Sequence, residues 1–323
     1  MHVRLLFVFP LVLQGTRLSA EEGGRIIITD PEKAGYDFTV QGEYQGQLAP
    51  GTGKLGIQVI ALGNGRFRAV FEPGGLPGDG WTGKDPVSVE AALVDGTLTF
   101  DGNGYQARLG AGVLVGTAPA GLNFNARHVH RQSSTLLAKP PATAIVLFDG
   151  KDADAWNGPG MDDRGFLKCG STSKRSFSNF TLHLEFMECF RPLDQGQERG
   201  NSGVYLQNRY EVQVLDSFGL PPSKGDCGGI WSTAAPSMNL SYPPLSWQTY
   251  DIAFTAAVYG ADGKKQRPAV ATVRHNGVLI HDHQIIPNPT GGQDGDENAK
   301  PGPIYLQEHG SPVVYRNIWI VEE

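Results

Sequence analysis

From residue 25 to residue 115 the chain alternates short runs of β-favouring residues with tight-turn signals. The runs lie at 25–29, 36–44, 55–61, 66–71, 87–93, 97–100, 105–109 and 113–115. Asn64-Gly65 and Asp95-Gly96 fall between neighbouring runs, where a two-residue hairpin turn needs positive φ. No helix-length periodic segment occurs among the runs. The pattern therefore predicts an antiparallel meander.

After residue 141 the β-favouring runs return, but with longer loops between them. They lie at 145–148, 166–168, 180–187, 203–207, 210–215, 248–254, 270–273, 278–281, 304–307 and 314–321. Asp262-Gly263 and Asn276-Gly277 mark hairpins between the late strands, and strict alternation in 315–321 gives the last strand one buried face. This spacing favours a two-sheet jelly roll over a meander.

The two β regions predict an all-β protein with two domains. Residues 21–116 form the smaller antiparallel domain, 117–142 a proline-containing linker, and 143–323 a β-sandwich. We expect few contacts across this boundary, and therefore a sandwich that folds alone. His128 and His130 stand at strand spacing in the linker; they could hold a metal, although exposed linker polarity explains them better.

The N-terminus has the layout of a signal peptide. His2 and Arg4 precede the apolar run 5–13, and small residues lead to a cleavage site near Ala20. A run of about nine apolar residues is too short for a transmembrane helix, which needs roughly 20. We therefore expect a secreted, periplasmic or cell-surface protein without a transmembrane segment.

Charge and cysteine content narrow the picture further. The net charge is −6, the pI is near 5.8 and no lysine or arginine run occurs, so a nucleic-acid partner is disfavoured. Cys169 and Cys189 lie on segments predicted to be neighbouring strands and are the preferred disulfide pair. Three buried thiols, with Cys227, are an equal alternative. The sequence indicates no oligomeric state.

The segment RYEVQVLDS, which begins at Arg209, carries the strongest chemical signal. On a strand, Glu211 and Gln213 share one face and the intervening valines the other. Asp216 is out of register by one residue, and a β-bulge would bring it beside the other two. This spacing resembles the catalytic strand of retaining β-glucanases, with Gln213 in place of the middle acid. It suits acid/base chemistry on a sugar, although a solvated face of an edge strand is the alternative reading.

Other polar residues stand near predicted strand ends. Asn201 precedes a strand that leads to Tyr205, Gln207 and Arg209 at alternate positions. Gln307 and His309 close another strand, and a histidine beside a carboxylate is suited to acid/base or metal-binding roles. Trp231 could stack on a pyranose ring or pack in the core.

The second half of the chain resembles a known family in eight ordered motifs. They are LFDGK from Leu147 with Trp156, GNSG from Gly200, YEVQVLD from Tyr210, CG from Cys227, WQTYD from Trp247, HNGV from His275, QEHG from Gln307 and RNIW from Arg316. Together they resemble the 3-keto-disaccharide hydrolase domain, a concanavalin-like jelly roll of exported bacterial proteins. The resemblance covers residues 143–323 and leaves 21–141 unexplained.

The resemblance implies a glycosidase-like activity on sugars whose C3 hydroxyl is oxidised to a ketone. A C3 carbonyl acidifies the C2 hydrogen, so a base can remove it and expel the C1 substituent, and water can add back later. Ordinary retaining hydrolysis needs two carboxyls about 5 Å apart. Gln213 and the short Asp216 side chain fit elimination or metal-assisted chemistry at least as well.

These considerations give a complete set of expectations for the site. The substrate is a 3-keto-glycoside, and a divalent metal ion is the candidate cofactor. The acid/base or metal-ligating residues, which should converge with Gln213 on one open face, are Glu211, Asp216 and His309. The expected sugar-binding residues are Asn201, Tyr205, Arg209, Gln213, Trp231, Gln307 and Arg316. The alternatives are a non-catalytic carbohydrate-binding module and a surface adhesion or scaffold element.

Overall fold

A computed structural model describes residues 26–51, 53–291 and 296–323. The predicted signal peptide and its cleavage site lie outside them. The described part of the chain is nearly all β, as predicted. None of its helices has the length and apolar character needed to cross a bilayer.

The N-terminal domain is a closed barrel of eight antiparallel strands, in which each strand pairs with the next and the last pairs with the first. A 3₁₀ turn (Pro31–Lys33) and a short α-helix, α1 (Gly35–Val40), precede the barrel. The strands are β1 Gly42–Ala49, β2 Lys54–Gly63, β3 Arg66–Pro73, β4 Val87–Val94, β5 Thr97–Gly102, β6 Tyr105–Gly110, β7 Val113–Ala118 and β8 Leu122–Val129. The meander order agrees with the prediction. The pairing of β8 with β1, which closes the barrel, was not predicted.

Strand β8 lies inside the segment assigned to the linker, so the linker expectation is wrong at its start. β8 pairs with both β7 and β1, and it turns Phe124 and Ala126 into the barrel core. Closing a barrel satisfies the backbone groups of both edge strands, which favours strand structure in a segment with weak local signals. His128 is on this strand and packs against Tyr44 and His130, so it is not exposed linker polarity.

The segment predicted as one strand, 36–44, divides into α1 and the start of β1. The helix buries Val40 against the barrel core and sets Phe38 edge-on to Phe190 of the second domain. Helix propensity matters little over one or two turns. Packing of these apolar residues therefore decides the conformation.

The C-terminal domain contains fourteen described strands in two main antiparallel sheets and one small ribbon. The strands are β9 Ile145–Phe148, β10 Trp156–Asn157, β11 Leu167–Lys168, β12 Ser171–Phe177, β13 Phe180–Met187, β14 Ser202–Leu206, β15 Tyr210–Val214, β16 Gln248–Thr255, β17 Val258–Tyr259, β18 Lys265–Arg267, β19 Ala269–His275, β20 Val278–Ile286, β21 Gly302–Leu306 and β22 Val314–Glu322. One sheet has the order β10-β12-β21-β14-β15. The other has the order β11-β22-β13-β16-β19-β20, with β9 paired to β22.

The two main sheets enclose one hydrophobic core. Val204 and Val212 from the five-stranded sheet belong to the same buried cluster as Leu184 and Ile252 from the other sheet. This arrangement is a β-sandwich. Its three cysteines are buried free thiols, so the preferred Cys169–Cys189 bridge is not formed.

The barrel and the sandwich share a buried interface. Ile60 and Val70, on the outer face of the barrel, form an apolar cluster with Phe218 of the sandwich. Arg131, just after β8, forms an ion pair with Glu43 on β1 and lies 5.3 Å from the centroid of the Tyr242 ring of the sandwich. The expectation of few contacts across the domain boundary is therefore wrong.

Candidate active site

The candidate site is built on the hairpin of β14 and β15. Gln207 and Asn208 both have φ near 55°, the geometry of a two-residue type I′ turn. This turn sets Tyr205 opposite Glu211. Because side chains alternate, the valines of β15 enter the sandwich core, and Glu211 and Gln213 lie on the outer face of the five-stranded sheet.

A chain of three side chains crosses this outer face. Gln307, just after β21, donates from Nε2 to the Tyr205 hydroxyl at 3.0 Å, and that hydroxyl donates to Glu211 Oε2 at 2.9 Å. Glu211 Oε1 has no hydrogen-bond partner among the described residues. It lies over Gly203, where a β-carbon would come within 2.2 Å of it. The glycine therefore makes room for the carboxylate.

Burial controls the protonation of this group. Glu211 is only 3% exposed, and loss of solvation raises the pKa of its carboxyl to about 7, while the Tyr205 hydrogen bond opposes the rise. Burial and the neighbouring Glu211 charge raise the pKa of Tyr205 above its ordinary value. Tyr205 therefore remains a proton donor, and Glu211 can change protonation state near neutral pH.

Amide side chains extend the same face. Gln213 donates from Nε2 to Gln197 Oε1 at 3.0 Å, and Asn201 donates from Nδ2 to the same oxygen at 2.9 Å. Gln197 in turn donates to the carbonyl of Gly225 at 2.8 Å. The Asn201 Oδ1 atom is buried without a partner among the described residues. These amides form a rigid polar surface beside Glu211.

A loop adds Trp231 to the edge of the site. The backbone of β15 bonds with this loop, from Gln213 N to Gly229 O at 2.9 Å and from Trp231 N to Glu211 O at 3.2 Å. The loop therefore covers the free edge of β15. Its backbone bond to Glu211 holds the partly exposed Trp231 next to that residue. Trp231 is not part of the hydrophobic core.

Asp216 does not join this face, contrary to the expected convergence. The β14–β15 register is regular, with no bulge to bring Asp216 beside Gln213. Its Oδ2 accepts from Arg199 Nε at 2.6 Å, in a buried ion pair at the barrel interface. A buried carboxylate needs such a partner, and Arg199 supplies it.

Arg209 and Arg316 are also held elsewhere. Arg209 donates to Gln207 Oε1 and Asn298 Oδ1, each at 3.1 Å. It therefore joins the hairpin turn to the loop that precedes β21. Arg316 lies on β22 of the seven-stranded sheet, where it pairs with Glu185 and stacks 3.9 Å above the Trp247 ring. The expectation that Arg316 shares the Glu211 site is therefore wrong.

His309 lies in the loop that follows β21, a strand of the sheet that carries Glu211. It is exposed, and no hydrogen bond joins it to Glu211 in the described part of the chain. Gln307, two residues earlier, makes the connection to Tyr205 instead.

The described residues do not fit the suggested metal cofactor. Nowhere among them do three His, Cys, Asp or Glu side chains come together as a possible metal site. Glu211 is surrounded by tyrosine and amide groups, which are weaker ligands for a divalent ion than carboxylates or imidazoles. We therefore derive no step of the chemistry proposed below through a metal ion.

Sequence reasoning missed two contributors to the site, Gln197 and Gly203. Gln197 lies in a loop, and nothing local indicates that its amide bridges Asn201 and Gln213. Gly203 could have been found, because extending the hairpin register from its turn sets it opposite Gln213.

The fold and site thus define a two-domain all-β protein with a buried, titratable carboxylate on one sheet of its sandwich. The family model described as "3-keto-alpha-glucoside-1,2-lyase-like domain" matches residues 143–321, more than half of the chain. The chain belongs to this family.

Solved structures give a similar picture. The crystal structure of a "putative glycosyl hydrolase" from Parabacteroides distasonis ATCC 8503 is 36% identical, with a TM-score of 0.51, over 56% of this chain and 84% of that one. A second protein of that description from the same organism is 22% identical over 56% and 99% of the two chains. Its TM-score of 0.40 is too low to support an argument. No curated protein matches the chain at a significant level.

Proposed function

We propose that the sandwich is a glycosidase-type enzyme that cleaves 3-keto-glycosides by elimination, with Glu211 as the base. The observation that carries the proposal is the Glu211 carboxyl, whose pKa is raised to about 7 and whose orientation is fixed by Tyr205 and Gln307. Membership of the 3-keto-α-glucoside-1,2-lyase-like family supports the substrate class. The relative at 36% identity, described as a glycosyl hydrolase, supports cleavage of a glycosidic bond.

The proposed chemistry follows from the ketone. A carbonyl at C3 acidifies the C2–H bond because the resulting carbanion is delocalised as an enolate. Glu211 Oε1 takes the C2 proton, the C–H electrons form a C1=C2 double bond, and the C1–O bond breaks. The leaving oxygen takes a proton from water, and the hydroxide that remains accepts the proton of Glu211, which regenerates the base. Addition of a second water across the double bond then gives the free 3-keto sugar.

Neighbouring side chains have supporting roles in this proposal. Tyr205 keeps its proton and donates to Oε2, which orients the carboxylate and leaves Oε1 to face the sugar. Asn201 Oδ1, which has no partner among the described residues, offers an acceptor to a sugar hydroxyl, and Trp231 offers an apolar ring face. Gln213 holds the amide network in place. A base with a pKa near the working pH is the most effective kind.

The decisive experiment compares a 3-keto-disaccharide with the same disaccharide before oxidation. We expect monosaccharide release from the ketone alone, with deuterium from heavy water appearing at C2 of the product after water addition. Glu211→Gln should lower turnover at least about a hundredfold. Glu308→Gln, which changes an exposed carboxyl beyond β21, should leave turnover within about twofold.

Three outcomes would overturn the proposal. They are equal cleavage of both sugars, release without C2 deuterium, and saturable binding without release. The last of these would establish a carbohydrate-binding module instead.

A further inference from the structure

The loop between β13 and β14 touches both the candidate site and the barrel. On the site side, Gln197 bonds to Gln213 and Asn201. On the opposite side, the Arg199 side chain runs to the barrel and is only 6% exposed. One short segment therefore connects the amides beside Glu211 to the N-terminal domain.

Arg199 ties three parts of the molecule together. Its Nε donates to Asp216 Oδ2 at 2.6 Å, just beyond β15 of the sandwich. Its Nη1 donates to the carbonyl of Ala61 on β2 at 3.1 Å, and its Nη2 to Gln41 Oε1 at 3.4 Å. The same Gln41 oxygen accepts from the Ala61 amide at 3.0 Å, which holds it in place. Two of the acceptors thus come from the barrel.

The loop between β13 and β14 cannot shift unless Arg199 shifts with it. Asp216 N donates to the Arg199 carbonyl at 3.2 Å, so the backbone and the side chain of Arg199 are both bound. Gly200 follows with φ of +62°, and a β-carbon there would lie 3.1 Å from Asp216 Cβ. A buried guanidinium must satisfy its donors, so its position follows the acceptors that the barrel presents.

We propose that the barrel positions the active-site loop, with Gln41 and Arg199 as positioning residues for Gln197 and Asn201. The role of the N-terminal domain is then to hold the sugar-binding amides in register with Glu211. The catalytic meaning of this inference rests on the proposed function, whereas the effect on the loop does not.

The test removes the barrel's side-chain acceptor in the full-length protein. Replacing Arg199 would leave the buried Asp216 carboxylate without its partner and could prevent folding. Gln41→Ala is therefore the informative change. Gln58→Ala is the matched control, since Gln58 is also a buried glutamine at this interface but bonds to Glu43. Gln41→Glu keeps an acceptor oxygen and should restore the behaviour of the unmodified protein.

Hydrogen exchange at residues 196–203 gives a readout that needs no substrate. Gln41→Ala should speed exchange there about tenfold, the scale expected for losing a hydrogen bond to a charged group. Gln58→Ala should leave exchange in this segment unchanged. With a 3-keto-disaccharide, Gln41→Ala should raise KM severalfold and change kcat less, because sugar positioning is lost and Glu211 is retained.

The two proposals fail in different ways. Equal exchange at 196–203 in the two alanine variants, or faster exchange across the whole chain in Gln41→Ala, would overturn the positioning role. An unmodified protein that turns over no 3-keto sugar would overturn the proposed function, and the exchange result would still decide whether the barrel holds the loop.

Discussion

Two opposing effects act on the Glu211 carboxyl. Burial of the carboxyl favours the neutral acid, while the Tyr205 hydroxyl favours the carboxylate. The result is a pKa of about 7, well above that of an exposed glutamate. If Glu211 is the base, its ionised form is the active one. The kcat/KM value should then rise with pH through about 7 and level off above it.

Removing the Tyr205 hydroxyl should move this pH profile in a predictable direction. Tyr205→Phe removes the hydrogen bond that lowers the Glu211 pKa, so the midpoint of kcat/KM against pH should shift upward. Tyr259→Phe is the matched control, because Tyr259 also donates to a glutamate, Glu297, at 3.0 Å. Its midpoint should not move. A downward shift, or an equal shift in both variants, would contradict the assignment of Glu211.

Residue-level reasoning found Glu211 and misplaced Asp216 for identifiable reasons. The alternation of β15 is a local property, so the outward face of Glu211 and Gln213 could be read from five consecutive residues. The partner of Asp216 could not be read in the same way. Arg199 lies 17 positions away and is held by barrel acceptors, so a long-range ion pair determines where the aspartate points.

At the level of elements, strong local patterns were reliable. The bounds of β13 agree with the predicted run 180–187, and those of β15 with 210–215 to within one residue. Strand β12 was missed because its sequence, STSKRSF, is mostly polar. It forms where it does through pairing with β21, a contact with a partner more than 120 residues later in the chain.

The β14–β15 hairpin yields a prediction about glycine. In Gly203→Ala the new β-carbon would meet Glu211 Oε1 at 2.2 Å, so the carboxylate must leave its position beside Tyr205. We expect turnover of a 3-keto-disaccharide to fall at least about tenfold, because a displacement of about 1 Å is costly in catalysis. Gly110→Ala, at the end of β6, has open space around the added carbon and should have no effect. Unchanged turnover in Gly203→Ala would show that this carboxylate position is not the catalytic one.

On the scale of the whole molecule, the main surprise is the contact between the domains. Composition and turn spacing predicted two β units, but they carry no information about which outer faces meet. The barrel presents Gln58, Glu43 and Glu72 on the face where an isolated barrel would be solvated. Arg131 pairs with Glu43 on this face and lies over the Tyr242 ring of the sandwich, so the second domain helps to cover it.

Glu72, on β3, is a buried carboxyl on the outer face of the barrel. It is 1% exposed, and its Oε2 has no partner among the described residues. Burial, with a smaller contribution from the nearby Glu43 charge, raises the pKa of Glu72 to about 9. Glu72 is therefore protonated in the folded protein at neutral pH, whereas it is ionised in the unfolded chain.

This difference makes the stability of the protein depend on pH. Above the ordinary glutamate pKa the folded state binds one more proton than the unfolded state, so the free energy of unfolding falls as pH rises towards 9.

Glu72→Gln keeps the neutral shape and abolishes this contribution. The free energy of unfolding of the variant, relative to that of the unmodified protein, should rise by up to about 1.4 kcal/mol per pH unit between pH 5 and pH 8. Chemical denaturation at several pH values measures the gain. Glu90→Gln, which alters a largely exposed glutamate paired with Arg68 on the same barrel, should show no such trend. If the free energies of unfolding of Glu72→Gln and the unmodified protein differ by the same amount across this pH range, Glu72 is ionised in the folded protein.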